Sequence, residues 1–374
     1  MTRKSSFLHS GYIIDGARQI LTPADMLKGC CAGGVVPPPD EPSPEVIADE
    51  FLDVKPTLTA AADHDTAWYC EAIASLPKRS FPLSFAGEYT CGKIAASLID
   101  AIWMGGHFRL QDLALKADWK WNDGAVGNMA AFYRSVEAAS EYIDALGLSI
   151  TSLSVTRGQC AATFKARLAG APEVDDELED EAEPRSGARL SRRRKCPASI
   201  LPESSDWLVY IPFDPCDHRL GGSAFAETIG QAPGTAPDIG DAGYFSDCFE
   251  VVRELVEDGV VKAGTTVFSG GLMCALKAMA QASAGAEISV NDVCRAYGET
   301  VPVRVLFGEV PGVILQIADI DYDYIDAEFL LQDVAYFPLG HPTPGDSSIS
   351  LLSDERYGIS GILESLLGSR EGED

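Results

Sequence analysis

"KAGTTVFSGGLMCALKAMAQASAG", residues 262–285, begins with a glycine at Gly264 that reads as a turn. It then crosses a short β-favouring stretch, Thr265 to Ser269, and places Gly270 and Gly271 directly before an apolar helix predicted from Leu272 to Ala282. Strand, glycine pair and helix make an ordinary joint of an α/β layer. A helix that starts on glycines also offers its free N–H groups to an anion. Yet the neighbours are Thr265, Thr266 and Phe268, where acids and an imidazole would serve phosphate chemistry better.

The same alternation continues on both sides. Downstream, "SVNDVCRAYGE" reads as a helix, "GVILQIAD" as a strand, "YDYIDAEFLLQDV" as a helix and "AYFPLG" as a last strand. Upstream, "DWLVYIPF" is a strand, and "GGSAFAETIG" opens a helix at Gly221, Gly222 and Ser223. "YFSDCFEVVRELVEDGVV" carries an apolar stripe at Phe245, Phe249, Val252, Leu255 and Val256, at helical spacing. Further back, "GKIAASLIDAIWMGG" predicts a buried helix that stops at Gly105 and Gly106, and "FRLQDLALKADWKWN" a strand. An amphipathic helix with Phe132, Val136, Ala139, Tyr142, Ile143 and Leu146 on one face ends at Gly147 before the strand "LSITSLSV".

Two breaks divide this pattern. Val35 to Pro56 is rich in proline and acid and reads as a linker or surface excursion. Residues 171–204 are charged in blocks and read as a disordered insertion. Its acidic run, Glu173 to Glu183, precedes the basic run "RLSRRRK", Arg189 to Lys195. The pair reads either as a self-compensating solvated loop or as a docking signal. The expected organisation is an unassigned segment 1–80, a partial N-terminal domain 81–170, the insertion 171–204, a C-terminal domain 205–345 and a tail 346–374.

Composition limits function. A chain of 374 residues with 46% hydrophobic content can bury a sizeable core. A net charge of −27 argues against binding nucleic acid or an anionic membrane surface. The ten cysteines show no metal-ligand spacing and read as reduced; only Cys30 and Cys31 are close in sequence, and the five histidines are scattered. No apolar run approaches the roughly 20 residues of a membrane helix. The default address is the cytoplasm, with an organelle leader in the basic first residues as the alternative.

The motifs "HRLGGSAFAETIGQ", residues 244–285, "VLFGEVPGVILQI" and "YFPLGH" resemble, in sequence and order, the C-terminal domain of the aminoimidazole ribonucleotide synthetase superfamily. More closely, they are similar to the last synthetase-type unit of the phosphoribosylformylglycinamidine synthases, and "KADWKWN" with "FYRSVEAASEYIDALGLSI" extends the likeness upstream. The resemblance implies an α/β to α+β fold of synthetase-superfamily type, with a partial N-terminal barrel-half domain and a C-terminal mixed sheet covered by helices. It also implies chemistry in which ATP with magnesium activates an amide oxygen and ammonia displaces phosphate.

The residues depart from that chemistry at three places. The family's "GHD-x-S-[DA]-GG" is "GTTVFSGG" here, so Thr265 and Thr266 stand at the His and Asp positions. Neutral hydroxyls are poor magnesium ligands beside a carboxylate. The family's "GEALTNL" aligns with "GKIAASL", which puts Lys93 and Ser97 at its Glu and Asn. The turn before "SLSV", Ser152 to Val155, lacks the family's lysine and aspartate.

What survives is Gly221, Gly222 and Ser223, Ser269, Gly270 and Gly271, and Pro311-Gly312. These either bind a phosphate-bearing ligand or let helix and strand pack closely. Asp217, His218 and Arg219 add polar candidates beside the first glycine pair, with surface or packing roles as the alternative; Glu309 reads as a ligand contact or a solvated turn acid. No catalytic residue and no metal ligand is assigned, and ATP and magnesium are expected only if catalysis persists. The readings are a non-catalytic binding or scaffold protein, a diverged amidine synthase subunit fed by a separate glutaminase, or a partial gene product. In each, a homodimer or a protein partner closes the N-terminal sheet.

Overall fold

The computed structural model describes residues 6–39, 44–50, 66–76, 79–124, 126–169, 191–230, 234–280 and 284–352. Its N-terminal half begins with a small sheet of β1 (Tyr12–Ile14), β2 (Ala17–Arg18) and β3 (Val46–Ala48), with α1 (Pro23–Cys30) between β2 and β3. Thr22 starts α1 by accepting the Asp25 N–H while Asp25 reaches back to Thr22, and Pro23 fills the first turn. The proline-rich excursion thus contains a strand, since β3 pairs in parallel with β1. α2 (Thr66–Ala74) follows and lies against the C-terminal half.

α3 (Ala86–Ile102) is the predicted buried helix, but it ends three residues before Gly105. Met104 and Gly105 instead form β4. The stop comes from Arg253, a fully buried side chain whose guanidinium donates to the carbonyls of Ile102 (2.5 Å), Met104 (2.8 Å) and Gly106. These caps satisfy acceptors that the helix end would otherwise leave open. β5 (Leu113–Trp121), α4 (Val126–Ala145), β6 (Ile150–Arg157) and β7 (Ala161–Leu168) complete this half. β5 is central, parallel to β6 and antiparallel to β7, and Gly147 at φ +67° turns the chain from α4 towards β6.

The acidic run lies outside the described residues. Part of the basic run does not behave as a loop, because β8 (Ser191–Arg194) pairs with β4.

The C-terminal half is one six-stranded mixed sheet in the order β10-β12-β9-β13-β11-β14. In chain order its elements are β9 (Trp207–Pro212), α5 (Ala224–Thr228), α6 (Ala242–Glu257), β10 (Val261–Val267), α7 (Gly271–Met279), β11 (Ala284–Ile288), α8 (Asn291–Ala296), α9 (Pro302–Phe307), β12 (Gly312–Ile317), α10 (Tyr322–Leu331), β13 (Phe337–Pro344) and β14 (Ile349–Leu351). Gly264 is a strand residue within β10, not a turn; a Cβ there would come within 2.5 Å of the Trp103 ring. β11, with two alanines and a glycine, carries little strand signal of its own and is held by β13 and β14.

Alternation along the central strands divides the core. Val209, Ile211, Val313 and Leu315 face α3, α6 and the N-terminal half. Leu208, Tyr210 and Ile314 face α7 and α9. Each such buried side chain contributes about 1.5–3 kcal/mol. The sheet therefore joins both halves, and the glycine helix starts lie where its covering helices meet α3.

Candidate functional site

The two glycine pairs have a steric origin. Gly270 (φ +79°) and Gly271 (φ +71°) both lie in the left-handed region. A Cβ on Gly271 would come within 2.6 Å of the Phe307 backbone, and one on Gly221 within 2.6 Å of the Thr235 backbone. Close packing thus accounts for one glycine of each pair.

The pairs converge on one side chain. Oε1 of Glu309 accepts the N–H of Gly270 (2.7 Å) at the start of α7 and the N–H of Ala224 (3.1 Å) at the start of α5. Ser223 caps α5 by accepting the Ala226 N–H at 3.1 Å. Glu309 is 4% exposed, so it is not a solvated turn acid.

Its partner is Arg79, from the segment with no sequence assignment. Arg79 forks onto both carboxylate oxygens, at 2.9 and 2.7 Å, and also donates to the Gly222 carbonyl and, at 3.4 Å, to Ser269 Oγ. Planar bidentate pairing of this kind fits arginine better than lysine. Burial works against the guanidinium's charge, but Glu309 and Tyr89 beside it hold its pKa above the ordinary arginine value.

Aromatic rings seal the same cleft. Arg79 lies 4.7 Å from the centre of the Tyr89 ring, and Tyr89 stacks on Phe268 with centroids 5.8 Å apart. Burial pushes the Tyr89 hydroxyl up to about 12, although Arg79 opposes this. Phe268 lies over Gly92 so closely that a Cβ there would meet its ring at 2.4 Å. The free space between Tyr89, Gly222, Phe268 and Glu309 is about 10 Å³, room for one water at most.

The four positions that the resemblance sets against nucleotide and metal ligands, Lys93, Ser97, Thr265 and Thr266, are spread along α3 and β10. Lys93 is half-buried, its pKa lowered by burial and by Arg79, against the pull of Glu309 and Asp100. Ser97 accepts the Ala166 N–H at 2.9 Å and so ties α3 to β7. Thr266 donates to Asp100 Oδ1 (2.6 Å) and accepts the Trp103 indole N–H (2.9 Å). Thr265 is half-buried and lies opposite Ile314 in the sheet. Among the described residues, no three His, Cys, Asp or Glu side chains converge as a metal site.

Asp217, His218 and Arg219 do not join the cleft as a set. Arg219 pairs with Asp217 at 2.6 Å and lies 3.6 Å from Glu299. His218 is buried against Tyr210 and Tyr297, a packing position.

Residues 204–322 match the model of the family described as AIR synthase related protein, C-terminal domain. This range contains both glycine pairs, Glu309 and His218. Residues 204–322 thus match an AIR synthase-related C-terminal domain, and the chain is similar in sequence to phosphoribosylformylglycinamidine synthases.

Human phosphoribosylformylglycinamidine synthase is 26% identical over 245 residues, 62% of this chain and 17% of that protein. The probable chloroplastic/mitochondrial phosphoribosylformylglycinamidine synthase of Arabidopsis thaliana is 25% identical over 242 residues, 63% of this chain and 16% of that one. The chain thus spans about a sixth of the length of these relatives. Among solved structures, T. maritima PurL complexed with FGAR aligns with a TM-score of 0.48 and 11% identity, over 79% of this chain and 44% of that chain. Arg79, Tyr89, Lys93 and Ser97 lie outside the AIR synthase-related domain, so the cleft is closed from the N-terminal half. Among the described residues, no helix is long and apolar enough to cross a membrane.

Proposed function

We propose that this chain is a phosphoribosylformylglycinamidine synthase-like protein that no longer turns over ATP and serves as a binding or scaffold subunit. The supporting observation is Glu309. Its carboxylate takes the N–H groups of both glycine helix starts, where a phosphate would be received, and Arg79 neutralises it in place. An incoming nucleotide phosphate would have to displace a buried carboxylate and meet its repulsion, while Phe268 fills the space beside it. Thr266 and Lys93 add a neutral hydroxyl and a cation where a magnesium site would use carboxylates.

The partner proposed with this reading is a second copy or another protein covering the outer strands of the β6-β5-β7 sheet, since strand edges invite pairing. The enzymatic alternative is tested by incubating the purified chain with formylglycinamide ribonucleotide, ATP, magnesium and ammonia. Phosphate release at the no-protein rate supports the proposal. Magnesium-dependent release that requires the ribonucleotide overturns it and makes the chain an ATP-dependent amidine synthase subunit.

A further inference from the structure

The thiols of Cys70 on α2 and Cys274 on α7 stand 3.6 Å apart, sulfur to sulfur, across 204 positions of sequence. Cys70 is buried and Cys274 half-buried. α2 rests on the C-terminal half through Tyr69, whose ring lies 5.1 Å from Phe225 and 6.1 Å from Phe307. Gly270 lies directly against Cys274, four residues on: a Cβ there would come within 2.8 Å of Cys274 Sγ and 3.4 Å of Ile73 on α2. The Cys274 sulfur thus sits beside the residue whose N–H holds Glu309, and Arg79 follows α2 closely in sequence.

We infer that Cys70 and Cys274 form a reversible disulfide that locks α2, and with it Arg79, onto the glycine helix start of α7. The consequence for the cleft rests on the proposal that Arg79 and Glu309 close it; the bond itself does not. Closing the pair requires the sulfurs to approach to about 2.05 Å, a shift of α2 on a surface held by side-chain packing.

The oxidant is a low-molecular-weight disulfide such as glutathione disulfide. The thiolate of Cys274, the more accessible, attacks one glutathione sulfur and releases the first glutathione thiolate. The thiolate of Cys70 then displaces the second glutathione, forming the protein disulfide. The cysteine pair loses two electrons and two protons, and two glutathione thiols carry them away. Its hydrogen bond with Cys70 and its burial hold the Cys274 thiol above its ordinary pKa, so exchange should quicken as pH rises.

The test uses the full chain, reduced and then incubated with glutathione disulfide, with peptide mapping under non-reducing conditions. The expected result is a Cys70–Cys274 peptide, loss of two free thiols, and a melting temperature raised by about 5 °C. Trypsin should cut after Arg79 several-fold more slowly in the oxidised form, and Cys274→Ser should abolish the linked peptide and the slowing together. A persistent mixed disulfide with glutathione, or a different cysteine pair, overturns the inference. Equal cleavage at Arg79 in both forms overturns the lock even where the bond forms. The mapped bond stands or falls independently of nucleotide binding, which tests the closed cleft.

Discussion

Glu309→Gln should be among the most disruptive single-atom changes in this chain. The side chain keeps its shape, but the amide nitrogen would face Arg79, a group that can only donate, so one of two short contacts becomes donor against donor. The other oxygen can still accept from Gly270 or Ala224, without the charge that strengthens those bonds. Arg79, with 15% of its side chain exposed, is then a nearly buried cation without its counter-ion. Breaking a buried pair from one side costs about 3–5 kcal/mol.

Arg79→Met alone strands the carboxylate and should cost about as much. The double variant removes both charges, so its loss should fall short of the sum by at least about 2 kcal/mol. Urea unfolding of the four proteins measures this directly, read as midpoints with the slopes compared. Glu309→Gln within about 1 kcal/mol of the parent, or single losses that simply add, would refute a coupled buried pair at the helix starts.

Other consequences are as concrete. Gly92→Ala should destabilise by about 1–3 kcal/mol through overpacking against Phe268, and should be nearly neutral when introduced into Phe268→Ala; equal costs in both backgrounds would count against the ring filling the cleft. Arg253→Met removes the donor from the carbonyls of Ile102, Met104 and Gly106 and one of the cationic partners of Glu257, so thermal unfolding should reveal a loss of about 3–5 kcal/mol. Burial pushes the His218 imidazole down to about 4, with Asp217 and Arg219 pulling in opposite directions. Its unfolded value is about 6.5, so between those values the unfolded chain binds the extra proton. Stability therefore falls as pH drops through that window, by up to ~3 kcal/mol; pH-dependent unfolding of His218→Phe should lack that slope.

Much of the fold was legible because its signals are local. The stripe Phe245, Phe249, Val252 and Leu255 specifies α6, the run Leu208 to Ile211 specifies a strand buried on both faces, and Gly147 marks the end of α4. Gly264 misled because a glycine that makes room for Trp103 looks, in sequence, like one that makes a turn. The end of α3 was misplaced for a related reason: it is set by Arg253, about 150 residues away.

The glycine pairs were legible as helix starts, but what occupies them was not. Glu309 and Arg79 are 230 positions apart, and neither carries a local pattern that names the other. Arg79 did leave one faint signal, a basic residue beside aromatic Phe81 just before the first long helix of a strongly acidic chain. Phe268 was visible as a misfit among polar expectations; only the approach to Gly92 and Tyr89 gives it a role.

In the proposed function the chain's own carboxylate, guanidinium and rings close the helix starts to nucleotide. Calorimetric titration of the full chain with ATP and with ADP, each with and without magnesium, tests it most directly. No binding heat is expected up to millimolar nucleotide in a protein shown to be folded. Saturable, magnesium-dependent binding would contradict it.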